Sequence, residues 1–386
     1  MTNYFLNLTD DNIIRISFAY NPESVESVKS FSNRSWNKEL SCWEIPLSVC
    51  NEIPKVLGVY IPQDIKERYE YIYNIKPIKY DETLIRPEIK PYNFQILGIE
   101  FGASNKNFLL ADEVGLGKTL QAIGTALHLN CKKIIVVCPS SVKGQWQREI
   151  NKFTDKSSII IDGSQKQREQ QYEKDVMFYI VNYELILRDI SIINKRLWDM
   201  VIADEVSRIK NWKSKTKTAL TRIKTNFKVG VSATPIENNI QELHSIVSWI
   251  NPNIFGSYWN FVNEYCYFCN NSYGGYQVTG IKDAKKLHET LKSVMIRRKK
   301  AEVFKELPEI IHNEYYVPLT PTQKQMYEEV KGNIMNLVQR GDMSNNMLNE
   351  IMYLREICNS PRLLNPDIME NGKVDEIVEI IKQFTD

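Results

Sequence analysis

Between positions 93 and 252 short apolar runs, most of them rich in β-branched residues, recur at intervals filled by amphipathic stretches, at 108–111, 134–138, 159–161, 178–181, 200–203 and 228–231. A strand that is apolar along its whole length needs cover on both faces. Parallel sheets with helices packed above and below supply that cover, so the alternation predicts a doubly wound α/β domain of about 160 residues. In such folds ligands bind outside the carboxyl ends of the strands, which directs attention to the residues that follow each run.

The flanks read differently. Residues 1–60 form a small α+β unit, with strands at 14–18 and 43–47 and a helix at 22–31 that places Val25, Val28 and Phe31 on one face. Residues 61–91 read as a connector punctuated by Pro62, Pro77, Pro87 and Pro91. After Pro252 the pattern turns helical, at 258–268, 284–294, 321–340, 347–358 and 374–384. The expected division is 1–60, 61–91, 92–252, a helical extension over 253–365, and the start of a further lobe over 366–386.

With 43% hydrophobic and 25% charged residues in 386, the chain carries enough apolar surface for a large core and too little bias for a disordered tail. Forty-nine Lys and Arg against 47 Asp and Glu leave a net charge of +2, so any nucleic-acid surface must come from local clustering. No apolar run approaches the roughly 18 residues of a membrane span, and the first ten residues lack a basic stretch leading into an apolar core. These features predict an intracellular protein without a membrane partner. Seven cysteines spread thinly predict reduced thiols. Cys266 and Cys269 have C-x-x-C spacing but no second pair to complete a zinc site.

The segment Asp112-Glu113-Val114-Gly115-Leu116-Gly117-Lys118-Thr119 follows an apolar run and precedes an amphipathic helix. That context suits a phosphate-binding loop. Backbone N–H groups and the positive end of the helix wrap phosphates, Lys118 reaches the terminal ones, and the Thr119 hydroxyl ligates Mg²⁺. Asp112 stands where the general pattern has its first glycine. The run at 200–203 ends in Asp204-Glu205, placing Asp204 to hold the Mg²⁺ shell and Glu205 to polarise an attacking water. Between Lys118 and Asp204 there is room for about three βα units, so both fit one carboxyl edge, and together they predict a nucleoside-triphosphatase. The run at 228–231 ends in Ser232-Ala233-Thr234-Pro235, whose Ser232 and Thr234 are placed to couple to the γ-phosphate.

In this order the three stretches resemble the first RecA-like lobe of superfamily-two helicase-like motors, specifically the Swi/Snf-type double-stranded-DNA translocases. Further matches are Pro91 to Gly98, similar to that family's Gln motif; Cys138-Pro139 with Trp146 and Glu149; Ile180-Val181-Asn182-Tyr183; and Ile209-Lys210-Asn211. Thr234 to Leu243, Met295 to Lys300 followed by Leu307-Pro308, and Leu354 to Pro361 complete the series. Tyr20-Asn21-Pro22, Arg34-Ser35-Trp36 and Cys42-Trp43-Glu44-Ile45 resemble the small module that precedes the motor in HepA-related annealing helicases.

The resemblance implies a RecA-like P-loop lobe preceded by a small α+β module and followed by a helical extension. It further implies ATP and Mg²⁺ as cofactors, Gln95 against adenine, and duplex or forked DNA as partner. It implies a second RecA-like lobe, in cis or in trans, whose first residues Gly372-Lys373-Val374 resemble and whose arginines complete the ATPase, leaving this portion weak or inactive alone. The acid pair is followed by Val206-Ser207 where the family usually has Ala-His. DNA contacts are expected to be mostly to phosphates. The candidates are Ser140, Ser141 and Lys143, then Lys210, Asn211, Lys213, Lys215 and Lys217, then Arg297, Arg298, Lys299 and Lys300. Such a motor works in the cytoplasm or nucleoid of a bacterium or phage-infected cell, or in a nucleus. Alternatives are a non-hydrolysing DNA-binding or regulatory module, a subunit of a split motor, and an RNA helicase, the last disfavoured by the long helical segment between Pro252 and Pro361.

Overall fold

The computed structural model describes residues 2–9, 12–31, 34–236, 239–270, 276–304, 314–339 and 345–385. Glu237, Asn238, Leu307 and Pro308, quoted above for the resemblance, lie outside them. The chain divides into two units, Met1–Glu306 and Leu307–Asp386.

The first unit opens with four antiparallel strands, β1 (Phe5–Leu8), β2 (Ile13–Ser17), β3 (Ser35–Asn37) and β4 (Cys42–Pro46), ordered β1-β2-β4-β3. The helix Pro22–Lys29 covers one face. Asn21 caps it by accepting from the Glu23 and Ser24 N–H groups at 2.9 and 3.4 Å, which satisfies donors the helix leaves open. Ile14, Ile16, Val28, Phe31 and Ile45 are fully buried together, while β1 and β3 are edge strands of only four and three residues, too short for a periodic signal.

Residues 61–91 are more than a connector. The helix Gln63–Tyr73 follows Pro62, which caps a helix without breaking it, and its Ile65 and Ile72, a heptad apart, join the same core. Beyond it Ile85 belongs instead to the core of the main sheet.

That sheet contains β5 (Phe108–Leu110), β6 (Ile134–Cys138), β7 (Ser158–Ile160), β8 (Phe178–Asn182), β9 (Trp198–Asp204) and β10 (Thr225–Val231). A hairpin follows, β11 (Cys266–Asn270) with β12 (Tyr276–Ile281), and then β13 (Met295–Ile296). The seven parallel strands run β13-β5-β10-β9-β6-β8-β7. Alternate residues feed opposite faces: Phe108, Ile134, Val136 and Ile202 pack into one core, Leu109, Ile135, Val137 and Val201 into the other. This is the two-sided burial that the apolar runs demand.

The sequence reading differs from the structure in two places here. The helix expected over 258–268 ends at Tyr265, and the chain enters the hairpin. The two-residue strand β13 gave no periodic signal, yet it extends the sheet past β5, where the Leu109, Ala111 and Glu113 N–H groups donate to the Val294, Ile296 and Arg298 carbonyls at 2.8 to 3.0 Å.

In the second unit three helices, Pro321–Gln339, Asn345–Asn359 and Gly372–Thr385, are tied by buried Gln323. Its Nε2 donates to the Ile357 carbonyl at 2.8 Å and its Oε1 accepts from Gly372 N–H at 3.3 Å. No described helix is long and apolar enough to cross a membrane.

Candidate nucleotide site

β5 delivers the chain to the loop 112–117, and the helix Lys118–His128 begins directly after it. Gly115 (φ +85°) and Gly117 (φ +68°) adopt left-handed backbone, which glycine takes at no steric cost. Gly117 is constrained twice, since a Cβ there would lie 2.3 Å from Gln95 Nε2. Gln95 is buried beneath the loop: its Nε2 donates to the Leu116 carbonyl at 3.3 Å and its Oε1 accepts from Tyr92 N–H at 3.0 Å. Leu116 is buried, Val114 exposed, and Thr119 half-buried in the first helical turn.

The Lys118 ammonium donates to the carbonyls of Asp112 at 2.9 Å and Glu113 at 3.2 Å. Burial pushes it below the ordinary lysine range, while attraction from Asp112, Glu205 and Asp204 pulls the other way and Arg297 adds repulsion. Lys118 and the acid pair therefore share one electrostatic neighbourhood.

The sheet explains why. Leu110 pairs with Val231, and Val231 with Asp204, so the loop after β5 and the carboxylate at the end of β9 flank β10 on one edge, about 10 Å apart by strand spacing. Asp204 Oδ2 accepts from Trp146 Nε1 at 2.7 Å and Oδ1 from Glu205 N–H at 3.0 Å. Burial raises the Asp204 carboxyl above its usual range, against the pull of those donors and of Lys118. Tyr183 Oη donates to the Asp204 carbonyl at 2.7 Å, and Glu205, exposed, turns out of the strand at φ +48°. Such a conformation costs a non-glycine residue about 1 kcal/mol and recurs at functional sites. The intervening β10 leads to buried Ser232, whose N–H donates to Leu110 at 3.2 Å and whose Oγ accepts from Thr234 N–H at 3.2 Å.

Several residues chosen from the sequence have other work. Asp112 is fully buried and does not face a phosphate. Its Oδ1 accepts from Arg298 N and Nε, both at 3.0 Å, and its Oδ2 from Arg298 Nη2 and from Gln121 Nε2 at 3.1 Å. Arg298 also donates to the Phe94 carbonyl and, at 2.7 Å, to Gln121 Oε1, so it is a structural partner of the loop and no DNA ligand. A buried carboxylate needs this pairing, and the guanidinium fork fits it. Glu113 Oε2 accepts from Lys300 N–H at 2.7 Å, a second tie between the loop and 297–300. Arg297 donates to the Ala233 carbonyl at 3.2 Å on the nucleotide edge.

Among the other basic candidates, Lys143 is buried and bound to Asp162 at 3.1 Å and the Ile161 carbonyl at 3.3 Å, and Lys217 donates inward to Ser245 O and Ser248 Oγ. Neither is placed for a phosphate backbone. Ser141, Asn211 and Lys213 are exposed beyond the carboxyl ends of β6 and β9, with Lys213 Nζ 5.0 Å over the Trp212 ring. Lys210 is half-buried, 3.9 Å from Glu242. Trp146 and Tyr183 enter the sequence analysis only through the family resemblance, and their contacts with Asp204 come from the fold. Trp146 sits on the apolar face of the helix Lys143–Phe153, and a buried indole N–H in need of an acceptor is the available signal.

A parallel sheet carrying a glycine loop and an acid pair on one edge defines a RecA-like lobe. The chain belongs to the SNF2-related domain family, whose model matches residues 22–363. It is 30% identical over 300 residues to Helicase ssl-1 of Caenorhabditis elegans, an alignment covering 73% of this chain and 12% of that protein. It is 31% identical over 300 residues to the ISWI chromatin-remodeling complex ATPase ISW1 of Saccharomyces cerevisiae, covering 73% and 26%. The chain thus spans 12 to 26% of the length of these two relatives. Among solved structures it is similar to the Sulfolobus solfataricus SWI2/SNF2 ATPase core in complex with dsDNA, with TM-score 0.50 and 26% identity over 81% of this chain and 65% of that one.

Proposed function

We propose that this chain is the ATP-binding portion of an ATP-dependent double-stranded-DNA translocase that works inside the cell. The observation that carries the reading is the meeting of Lys118, Asp204 and Glu205 across β10. ATP is the substrate. The N–H groups of Val114, Gly115 and 117–119 and the Lys118 ammonium hold its phosphates, Gln95 stands by for the base, and Ser232 and Thr234, level with the loop on the neighbouring strand, link phosphate occupancy to the rest of the lobe.

The residues fit Mg²⁺. Asp204 is a half-buried carboxylate whose charged form desolvation disfavours, and its oxygens keep lone pairs beyond the two donors they meet. Mg²⁺ takes one or two carboxylates plus substrate phosphates, so Asp204 with the Thr119 hydroxyl is a sufficient protein contribution. When bound, the ion neutralises charge on the phosphates. Glu205, exposed beside Asp204, is placed to orient the attacking water.

DNA is held through phosphates by Ser141, Asn211 and Lys213, a reading supported by the likeness to a solved SWI2/SNF2 core bound to dsDNA. The N-terminal module, with exposed Tyr20 and Trp36, is the reader of forked DNA, and residues 253–365 are the helical extension of the motor. A second RecA-like lobe, in cis or in trans, supplies the transition-state arginines.

Measuring ATP turnover with the second lobe supplied tests this. Duplex DNA is expected to stimulate turnover at least tenfold over single-stranded RNA. Silence with every polynucleotide indicates a non-hydrolysing module and contradicts the proposal, and preference for single-stranded RNA indicates an RNA helicase.

A further inference from the structure

Lys228 is out of place by the logic of the sheet that holds it. It sits inside β10, where its neighbours Phe227 and Val229 are core residues of one face and its own side chain takes the other. Lysine is seldom drawn into a sheet without a partner, yet the half-buried Lys228 side chain leaves its ammonium with no hydrogen bond or ion pair. It borders a cavity of about 750 Å³ between the N-terminal module and the lobe, with Asn12 and Ser48 on the module side. Cavities of this size are the usual size of small-molecule sites.

Four further basic residues line the same space, Lys217, Arg222, Lys224 and His244, of which Lys217 and His244 are the more enclosed. Lys217 reaches it with two of its three donors satisfied by the Ser245 carbonyl and Ser248 Oγ. His244 is 6% exposed, its Nε2 lies 3.3 Å from the Gly256 carbonyl, and its Nδ1 has no partner. No Asp or Glu occurs among the described residues of the lining.

The electrostatics agree with the geometry. Burial pushes Lys228 and Lys217 down to about 8, with Lys228 adding repulsion on Lys217. Burial, and then Lys217, pushes His244 down to about 4, against the lift of the Gly256 carbonyl. Each group lacks a negative charge beside it.

We propose that this cavity binds a small phosphate-class anion, held by Lys217 and Lys228 and distinct from the nucleotide loop. The anion supplies the acceptors these ammonium groups lack. Because the walls come from both the module and the lobe, the bound anion also fastens one to the other.

The test uses the full chain with Lys118→Ala, which silences the nucleotide loop, and titrates inorganic phosphate by calorimetry alongside thermal melting. Saturable binding and a raised melting temperature are expected, with affinity reduced at least tenfold by adding Lys228→Met or Lys217→Met. Removing an unpaired, partly desolvated cation should leave the phosphate-free melting temperature of Lys228→Met equal to or above that of its parent, which keeps the test readable if Lys217→Met folds poorly. ATP and inorganic phosphate share the chemistry. Tighter binding of ATP in the Lys118→Ala background assigns the site to a nucleotide, and tighter binding of phosphate to the free ion. Absence of phosphate binding in that background, binding unchanged by Lys228→Met, or a Lys228→Met chain that melts below its parent without phosphate overturns the proposal.

Discussion

Asp204 is held by an indole. Trp146 Nε1 at 2.7 Å and the Glu205 N–H favour its charged form, and burial opposes them and prevails, so its carboxyl rises. The folded chain then binds that proton more tightly than the unfolded one does. This contribution to stability is complete below the ordinary Asp value of 3.8 and is lost as pH climbs through the raised one, leaving a desolvated charge at neutral pH. Trp146→Phe removes a donor to the charged form and should raise the carboxyl further. The acid limb of Mg·ATP binding should therefore shift to higher pH, with a stability loss of about 1–2 kcal/mol. Superimposable acid limbs for parent and variant, measured by fluorescent-nucleotide titration, would show that Trp146 has no part in the site. The Lys228 effect has the opposite sign. Its folded value, near 8, lies below the unfolded 10.5, so the folded state sheds its proton first and stability rises with pH across that window. Lys228→Met should flatten that rise in urea unfolding followed between about pH 8 and 10.

At the scale of elements, the notable finding is how β13 and the residues after it secure the phosphate loop. Asp112 replaces a small residue of the general pattern, and the structure shows what the replacement does: it anchors Arg298 and thereby the strand at the sheet's edge. Arg298→Met strands a buried carboxylate and should cost about 3–5 kcal/mol in urea unfolding of the first unit, much of it recovered by adding Asp112→Asn. A loss under 1 kcal/mol would mean that the pair is dispensable. The helix Gln63–Tyr73 offers a second case. Ile72→Ala should cost about 2–4 kcal/mol, since Ile72 is a core residue of the N-terminal module and not part of a solvated connector. Loss of hydrogen-exchange protection in β2 and β4 would accompany it, and unchanged protection would detach the helix from the module.

Over the whole molecule, legibility followed the strength of the local signal. The six strand runs, apolar throughout except for Lys228 in the last, announced the main sheet because two-sided burial leaves few other solutions. Gly117-Lys118-Thr119 and Asp204-Glu205 were legible because phosphate and metal chemistry tie residue type to the ends of strands. What stayed hidden depends on long-range pairing. β13 is two residues long and is held by β5, and Arg298 looks like a surface charge until Asp112, far away in sequence, is placed beside it. Lys143 and Lys217 look like members of a basic stripe, and only packing shows them turned inward.

All of these scales converge on a triphosphate seated between the helix start at Lys118 and the Asp204 carboxylate. The most direct test is calorimetric titration of the chain with a non-hydrolysable ATP analogue and Mg²⁺, beside Lys118→Ala. At least a hundredfold loss of affinity in the variant is the expected result, and equal affinities would contradict the assignment of the site.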